Sequence, residues 1–287
     1  MTIDERKIIV DKIKKTLVIA GSTFSEEKMT CYHEALMGEN NELSRWAMET
    51  IVENAMIAKE YKSPLCDDTG IPHLIIEIGR GRTISGEFID AIYEGVRKGL
   101  LELPGRPMAI MGSDEERVSQ SGGLDERSDA VEPAPLMIRA SDDDNRLKVT
   151  ILMQGGGPEI RSKTYRIFHK HSIQVVIDEI VSWGVEAVSQ LGCTPCTLAI
   201  GIGRSHYEAS SLMLQAMQDG NYDLQTVYEK EITKRVNESG VGALGLGGGY
   251  SVLATFMKIG PQRASGVRIV CMRPCCCFEP RKASVEF

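Results

Sequence analysis

Cysteine is the residue type through which this sequence offers the most chemistry, since eight cysteines occur in 287 residues. Cys66 stands alone, Cys193 opens a CxxC, and a run of three ends at Cys277. Each of these lies near glycine or proline, whose turns leave backbone N–H groups able to point at sulfur. Three such thiolates could hold three irons of a [4Fe–4S] cluster. The fourth iron would then be open to a substrate, as a Lewis acid must be.

Other roles for the cysteines stay open. Cys31, in a predicted helix, and Cys271, in the strand RIVCM, fit buried thiols that pack as small hydrophobes. Cys193 and Cys196 could instead bind zinc with two C-terminal cysteines, although the spacing is far longer than in compact zinc modules. An iron–sulfur sensor or electron carrier would use the same thiolates. Such a protein would need neither an open iron nor cations beside the cluster.

Two glycine-rich turns could bind anions. In QGGGPEIRSK, 154–163, the glycines around Gly156 let the backbone approach a ligand, and Arg161 and Lys163 can pair with carboxylates. The same segment could also be only a mobile turn. GIGRS, 201–205, joins a strand-to-helix turn to a cation, and such turns bind anions through helix amides. It lacks the spacing of a dinucleotide fingerprint.

Two adjacent carboxylates follow the first isolated turn cysteine. Asp67 and Asp68 could contact water, a substrate or a neighbouring subunit, or they could simply close a turn. If partial burial raised the pKa of Asp67, this carboxylate could act as a base. The histidines show no metal-ligand spacing such as HExxH.

Composition limits the classes of function. The formal net charge of −7 includes no basic block, so binding to nucleic acid or to a membrane surface is not indicated. Residues 1–21 predict an amphipathic helix without the apolar stretch and cleavage site of a signal peptide. No segment approaches the ~20 apolar residues of a membrane span. The sequence therefore predicts a cytoplasmic protein. In the reducing cytoplasm, cysteines indicate metal binding or catalysis more than disulfides.

The elements that must position these residues follow an α+β pattern. Residues 1–105 are predicted to be mostly helical, with Ser85 as the N-cap of one helix. Residues 105–135 are polar and rich in Gly, Ser and Asp, which predicts a long loop. Residues 135–287 alternate between strand and helix patterns, which predicts a mixed β-sheet with flanking helices. No repeat or linker divides the chain, so we expect a single domain over 1–287.

Five segments together resemble the class I fumarases and the related L(+)-tartrate dehydratase α-subunits. PLCDDTG, 64–70, is similar to their PLCQDTG and PACQDTG, and LGCTPCTLAIGIG, 191–203, is similar to their ACPPxxxGVGIG. QGGGPEIRSK, 154–163, resembles their GGG-containing segment. The stretch 242–267 resembles their GPQGLGG and APTHIA motifs, and CFEPRKA, 277–283, resembles their CWALRHA. The order of the segments is the same.

This resemblance implies an α+β fold of the hydro-lyase α-subunit type and an oxygen-sensitive [4Fe–4S] cluster. Its ligands would be Cys66, Cys193 and Cys277, with Cys275 and Cys276 as alternatives for the third position. In the family, the iron without a protein ligand binds the carboxylate and hydroxyl of the substrate, and water leaves by anti elimination. The expected substrate is a small hydroxy-dicarboxylate, of the malate/fumarate or the tartrate/oxaloacetate type.

The resemblance also implies that this chain holds only part of an active site. A β-type subunit would supply further catalytic residues, including the base, and α-subunits would pair as a homodimer. The residues expected at the site, beyond the cysteines, are Asp67 and Asp68 as catalytic groups and, for substrate binding, Arg106, Gly156, Arg161 and Lys163. Asp67 stands where the family has Gln, so it adds a negative charge where an anionic substrate would approach.

Overall fold

The computed structural model describes residues 1–103 and 105–287, which form two compact units. Unit 1 comprises Met1–Thr23, Ala55–Gly155 and Arg281–Phe287, and unit 2 comprises Phe24–Asn54 and Gly156–Pro280. The chain therefore passes between the units several times, once within the glycine-rich segment and once directly after the C-terminal cysteines.

Nine α-helices occur in the described residues: α1 (Ile3–Ser22), α2 (Glu26–Gly38), α3 (Glu42–Tyr61), α4 (Gly86–Glu102), α5 (Asp114–Ser119), α6 (Gly156–Ile160), α7 (Ile173–Leu191), α8 (His206–Asp219) and α9 (Val227–Asn237). The strands there are β1 (Ile71–Ile78), β2 (Ala109–Ile110), β3 (Leu124–Asp125), β4 (Met137–Ala140), β5 (Leu147–Gln154), β6 (Lys163–Phe168), β7 (Cys196–Gly203), β8 (Val252–Ile259), β9 (Val267–Cys275) and β10 (Arg281–Glu286). None of the described helices is both long and apolar enough to cross a bilayer.

Unit 1 is built on a four-stranded sheet with the order β10-β5-β1-β4. The pair β1 and β4 is parallel, and the other pairs are antiparallel. Helices α1 and α4 contribute apolar side chains, among them Ile13, Leu17 and Ile92, to one buried cluster with the sheet residues Leu74 and Ile151. Because β10 comes from the last residues of the chain, unit 1 is assembled from both ends of the sequence.

Unit 2 is built on a second four-stranded sheet with the order β6-β9-β7-β8. The central strand β7 is buried along its whole length, and it pairs in parallel with β8 and antiparallel with β9. Helices α7 and α9 cover this sheet through a cluster that includes Ile180, Val188 and Ile232. Strand β7 begins at Cys196 and β9 ends at Cys275, so both strands have cysteines at their ends.

The predicted α+β class with a helical N-terminal part is confirmed by this architecture. Ser85 is the N-cap of α4, as predicted, because its hydroxyl accepts from the N–H of Phe88. The segment 105–135 is more structured than the predicted loop, since it contains β2, β3 and α5. Helix α5 begins at a capping box formed by Ser113 and Glu116, a local signal that the polar composition concealed.

Candidate functional site

Cys193 and Cys277 come together in unit 2. Cys193 lies in the turn between α7 and β7, and Cys277 lies just after the end of β9. Because the start of β7 pairs with the end of β9, the two turns lie at the same end of these strands. There the main-chain N–H of Cys277 donates to the carbonyl oxygen of Cys193 over 2.8 Å. Cys193 is exposed and Cys277 is buried.

The three consecutive cysteines occupy different environments. Cys275 is the last residue of β9, pairs with Thr197 and is fully buried. Cys276 is half-buried, and Cys277 makes the backbone contact to Cys193. A hydrogen bond with Cys276, together with burial, raises the pKa of the Cys277 thiol, while the positive charge of Lys28 opposes that rise. Cys277 thus contacts Cys193 through its backbone, and the choice among the three cysteines as ligand stays open.

The other thiols of unit 2 pack within the protein. Cys196 is fully buried in the core of the sheet, so the CxxC presents one cysteine at the surface and one inside. Cys271 is buried within β9. Cys31 is half-buried in α2, and burial raises the pKa of its thiol to about 11. No disulfide joins any of the eight cysteines, all of which lie in described residues.

A glycine-rich loop fixes the residue that follows Cys193. The buried hydroxyl of Thr194 donates to the carbonyl of Gly242 over 2.6 Å, and its carbonyl accepts from Leu244. Gly242 has a φ of +70°, and a Cβ there would lie 1.9 Å from the carbonyl oxygen of Gly247, so only glycine fits. The stretch 242–249, part of the segment that resembles a family motif, therefore supports the Cys193 turn.

The PLCDDTG segment lies in unit 1. The Cys66 thiol donates to the carboxylate of Asp67 over 3.3 Å, and the N–H of Asp68 donates to the same oxygen over 2.9 Å. These two hydrogen bonds, with the charge of Arg106, hold the pKa of Asp67 below its usual range. The expected rise of this pKa by burial is therefore wrong, because Asp67 is exposed. Arg106 is also exposed, and its charge stabilises the Asp67 carboxylate within the unit.

A buried arginine, Arg281, holds the backbone of the same segment. Arg281 donates to the carbonyl of Asp68 over 2.8 Å and is 2% exposed. Gly70 has a φ of +83°, and a Cβ there would meet the Gln154 backbone at 2.6 Å and the Arg281 guanidinium at 2.8 Å. The loop therefore packs directly on the end of β5, where the glycine-rich segment begins.

The predicted substrate-binding residues of that segment lie in unit 2. Gly156 is exposed and opens the short helix α6. Arg161 donates to the carbonyl of Gln190 over 3.2 Å, and the Lys163 ammonium lies 4.5 Å from the centre of the Trp183 ring. Both cations line one cavity of about 200 Å³. They are thus neighbours on an accessible surface, which is compatible with binding a small anion.

The second predicted anion turn is occupied by a side chain of the protein itself. The Glu208 carboxylate accepts from the backbone N–H of Arg204 over 2.6 Å, and it forms a bidentate ion pair with the Arg204 guanidinium. Ser205 caps α8 by accepting from the N–H of Glu208. A further anion would have to displace this carboxylate, so the turn is an internally satisfied helix start.

Several buried polar residues around the cysteines were not predicted as site residues. Arg273 forms ion pairs with Glu279, directly after the cysteine run, and with Glu159 in α6, and its side chain is 0% exposed. From α2, Tyr32 donates to the carbonyl of Cys277 and Lys28 to that of Glu279. Lys28 lies in a helix with many charged residues, and its burial could not be inferred from that pattern. The two opposite charges that flank the cysteine run, Arg273 within β9 and Glu279 after it, were the signal available in the sequence.

The cysteines fit an iron–sulfur cluster in their donor chemistry and in the backbone pairing of Cys193 with Cys277. Cys66, the third predicted ligand, belongs to unit 1. In the part of the chain that the structure describes, no three His, Cys, Asp or Glu side chains are grouped to hold a metal ion. Cys193 and Cys277 are thus joined through their backbones in unit 2, and the ligand role of the three cysteines stays a prediction.

Comparison with known proteins adds a family to this geometry. The profile of the fumarate hydratase (Fumerase) family matches residues 10–286. A putative L(+)-tartrate dehydratase subunit alpha of Methanocaldococcus jannaschii is 27% identical over 271 residues, covering 90% of each chain. The L(+)-tartrate dehydratase subunit alpha of Escherichia coli K12 is 21% identical over 242 residues, covering 83% of this chain and 77% of that protein. The resemblance inferred from the motifs and the assignment to the hydro-lyases are confirmed. The chain belongs to the fumarate hydratase (Fumerase) family.

Proposed function

We propose that this chain is the α-type subunit of a [4Fe–4S]-dependent hydro-lyase that dehydrates a small hydroxy-dicarboxylate, with a β-type subunit completing the active site. The observation that carries the proposal is the pairing of Cys193 with Cys277, in a chain of the fumarate hydratase family. These two thiols would be cluster ligands, and Cys66 would be the third because PLCDDTG matches the family segment. When bound, the cluster would supply one open iron that acts as a Lewis acid.

The residues of the chain would bind and orient the substrate. Arg161 and Lys163 offer two neighbouring cations to a carboxylate, and Gly156 lets the backbone approach it. Arg106 would bind a second carboxylate beside Asp67. Asp68, whose carbonyl is fixed by a buried arginine, would contact the hydroxyl or water beside Cys66.

Elimination also requires a base that removes a proton from carbon. Asp67 is the internal candidate, but a carboxylate with a lowered pKa is a weak base. We therefore assign the base to the β-type subunit. Two relatives are named L(+)-tartrate dehydratase subunit alpha, which makes L(+)-tartrate the first substrate to test and malate the second.

Anaerobic purification tests the proposal. Iron and acid-labile sulfide should each approach about four per chain, as for a [4Fe–4S] centre. The chain should be inactive by itself, and it should dehydrate one of the acids when a β-type subunit is added. Zinc in place of iron would overturn the proposal. A cluster whose spectrum does not change when any of the acids is added would indicate a sensor or electron carrier. Dehydration by the chain alone, lost in Asp67→Asn, would refute the shared active site.

A further inference from the structure

The turn that carries Cys277 leaves two carbonyl groups pointing into the protein. In this cysteine turn, residues 276–279, the N–H of Glu279 donates to the carbonyl of Cys276 over 2.8 Å. The N–H of Cys277 donates to Cys193. The carbonyl groups of Cys277 and Glu279 need other donors, because a buried carbonyl without a hydrogen bond is costly.

Both donors come from one face of α2. The Tyr32 hydroxyl donates to the carbonyl of Cys277 over 2.7 Å, and the Lys28 ammonium donates to the carbonyl of Glu279 over 2.7 Å. The two side chains are four residues apart on the helix, so they stand one above the other. Tyr32 is 0% and Lys28 1% exposed. The helix therefore holds the turn at two points, on either side of Phe278.

A buried ammonium is an expensive way to satisfy a carbonyl. Burial lowers the pKa of Lys28 to about 8, against the attraction of the nearby cysteines and Glu279. The Phe24 ring, whose centre lies 4.3 Å from the Lys28 Nζ, offsets part of that cost. A neutral donor would satisfy the same carbonyl more cheaply. The positive charge is of use where sulfur ligands carry negative charge.

The side chain of Glu279 is held as firmly as its carbonyl. Arg273 donates to both carboxylate oxygens over 3.1 and 3.3 Å, and neither side chain is exposed. Arg273 also reaches Glu159 of α6. Helix α2 thus binds the main chain of the cysteine turn, and Arg273 of β9 binds the side chain of its last residue, Glu279.

We propose that Lys28 and Tyr32 are positioning residues for Cys277, holding the cysteine turn in the conformation in which its sulfur serves as a ligand. The anchoring of the turn stands by itself, whereas the ligand role of Cys277 rests on the proposed function. Lys28 in addition places a positive charge at the carbonyl of Glu279, two residues after Cys277.

The chain offers matched controls for both contacts. Tyr32→Phe removes one buried hydroxyl, and so does Tyr222→Phe, whose hydroxyl bonds to Thr197 instead of the cysteine turn. Lys28→Met removes an ammonium that donates to a carbonyl beside an aromatic ring. Lys12→Met removes an ammonium with the same two kinds of contact at a less buried place in unit 1, where Lys12 donates to the carbonyl of Glu286 and lies over another ring.

The first measurement needs no cluster. In the reduced chain without metal, hydrogen exchange at residues 276–279 and alkylation of Cys277 should be roughly 2- to 10-fold faster in Tyr32→Phe and Lys28→Met. Both rates should be unchanged in the two controls. Unfolding midpoints of all variants are measured in parallel, so that a general loss of stability can be told apart from loosening of the turn. Wild-type rates in both test variants would overturn the proposal, whatever their midpoints.

The second measurement uses the reconstituted protein. The test variants should lose iron to a chelator several-fold faster than wild type and show a shifted electron paramagnetic resonance spectrum, whereas the controls should not. Normal spectra and iron retention in both test variants would overturn the ligand-positioning role. If the wild-type chain takes up no iron, the proposed function fails, and the alkylation rates still decide whether α2 positions the turn.

Discussion

The N–H of Cys277 donates to the carbonyl of Cys193 over 2.8 Å, joining the turn before β7 to the turn after β9. This contact places two cysteines from separate motifs on adjacent backbone. Cys193, which begins the CxxC, and Cys277, which ends the cysteine run, lie in turns, whereas Cys196 and Cys275 are buried in strands.

Replacement of the paired cysteines should abolish cluster binding. Cys193→Ser and Cys277→Ser each remove a soft sulfur ligand, so iron should fall from about four per chain to below one after anaerobic reconstitution. Cys66→Ser should have the same effect, and Cys31→Ser serves as the control that retains full iron. Full iron in Cys193→Ser would contradict the assignment. A requirement for Cys275 or Cys276 in place of Cys277 would change only the ligand assigned within the cysteine run.

Restoring the family residue at position 67 should improve substrate binding. The lowered pKa of Asp67, caused first by the hydrogen bond from Cys66, keeps it a carboxylate at neutral pH, where it repels a dianionic substrate. One charge about 4 Å away in water is worth ~1 kcal/mol, so Asp67→Gln should lower KM roughly 5-fold. Steady-state kinetics of the complete enzyme between pH 6 and 9 check this. Asp125→Asn, which removes another arginine-paired carboxylate of unit 1, is the control. A higher KM would mean that Asp67 assists binding.

The cations after the glycine turn should contribute to turnover and not to the cluster. Arg161→Ala should lower kcat/KM by the loss of a charged hydrogen bond, about 1.5–3 kcal/mol, with iron content unchanged. Arg204→Ala is matched to it, because Arg204 also follows a glycine motif but is paired with Glu208. Equal kinetics of the two variants with every accepted substrate would reduce Arg161 to a surface charge.

Cys31 should react slowly with alkylating reagents in the folded chain. Its pKa of about 11, against an ordinary value of 9.0, reduces the thiolate at pH 8 by roughly 100-fold. The folded state binds this proton more tightly, so the associated stability is present below pH 9 and is lost between pH 9 and 11. Peptide-resolved alkylation across pH 7–10 checks the rate. Urea unfolding of wild type against Cys31→Ser checks the linkage, and parallel pH profiles would contradict it.

Local signals in the sequence predicted much of the architecture. The N-cap Ser85 and the strand that leads into the turn at 201–205 depend on neighbouring residues, and both are found as predicted. The strands β6 and β10 were missed, because β6 follows a glycine turn and β10 begins within a motif interpreted as a ligand segment. The prediction of one domain over 1–287 stays a prediction.

The contacts that support the cysteines could not be predicted, because they join distant residues. Lys28 and Glu279 are 251 residues apart, and Tyr32 and Cys277 are 245 residues apart. Nothing in the local pattern of α2 distinguishes a buried lysine from a surface one. The assignment of Asp67, Asp68, Arg106, Arg161 and Lys163 to the site rests on motif resemblance and stays a prediction.

Strand β10 has a consequence for the order in which the protein is made. It pairs with β5 from Arg281 to Glu286, and Val285 packs on the core that α1 and α4 build. A ribosome finishes α1, α4 and β5 long before it reaches these residues. Unit 1 therefore waits with one side of β5 unpaired while unit 2 is synthesised, and an unpaired strand edge attracts other chains. This edge of β5 stays open until β10 has left the ribosome and paired with it.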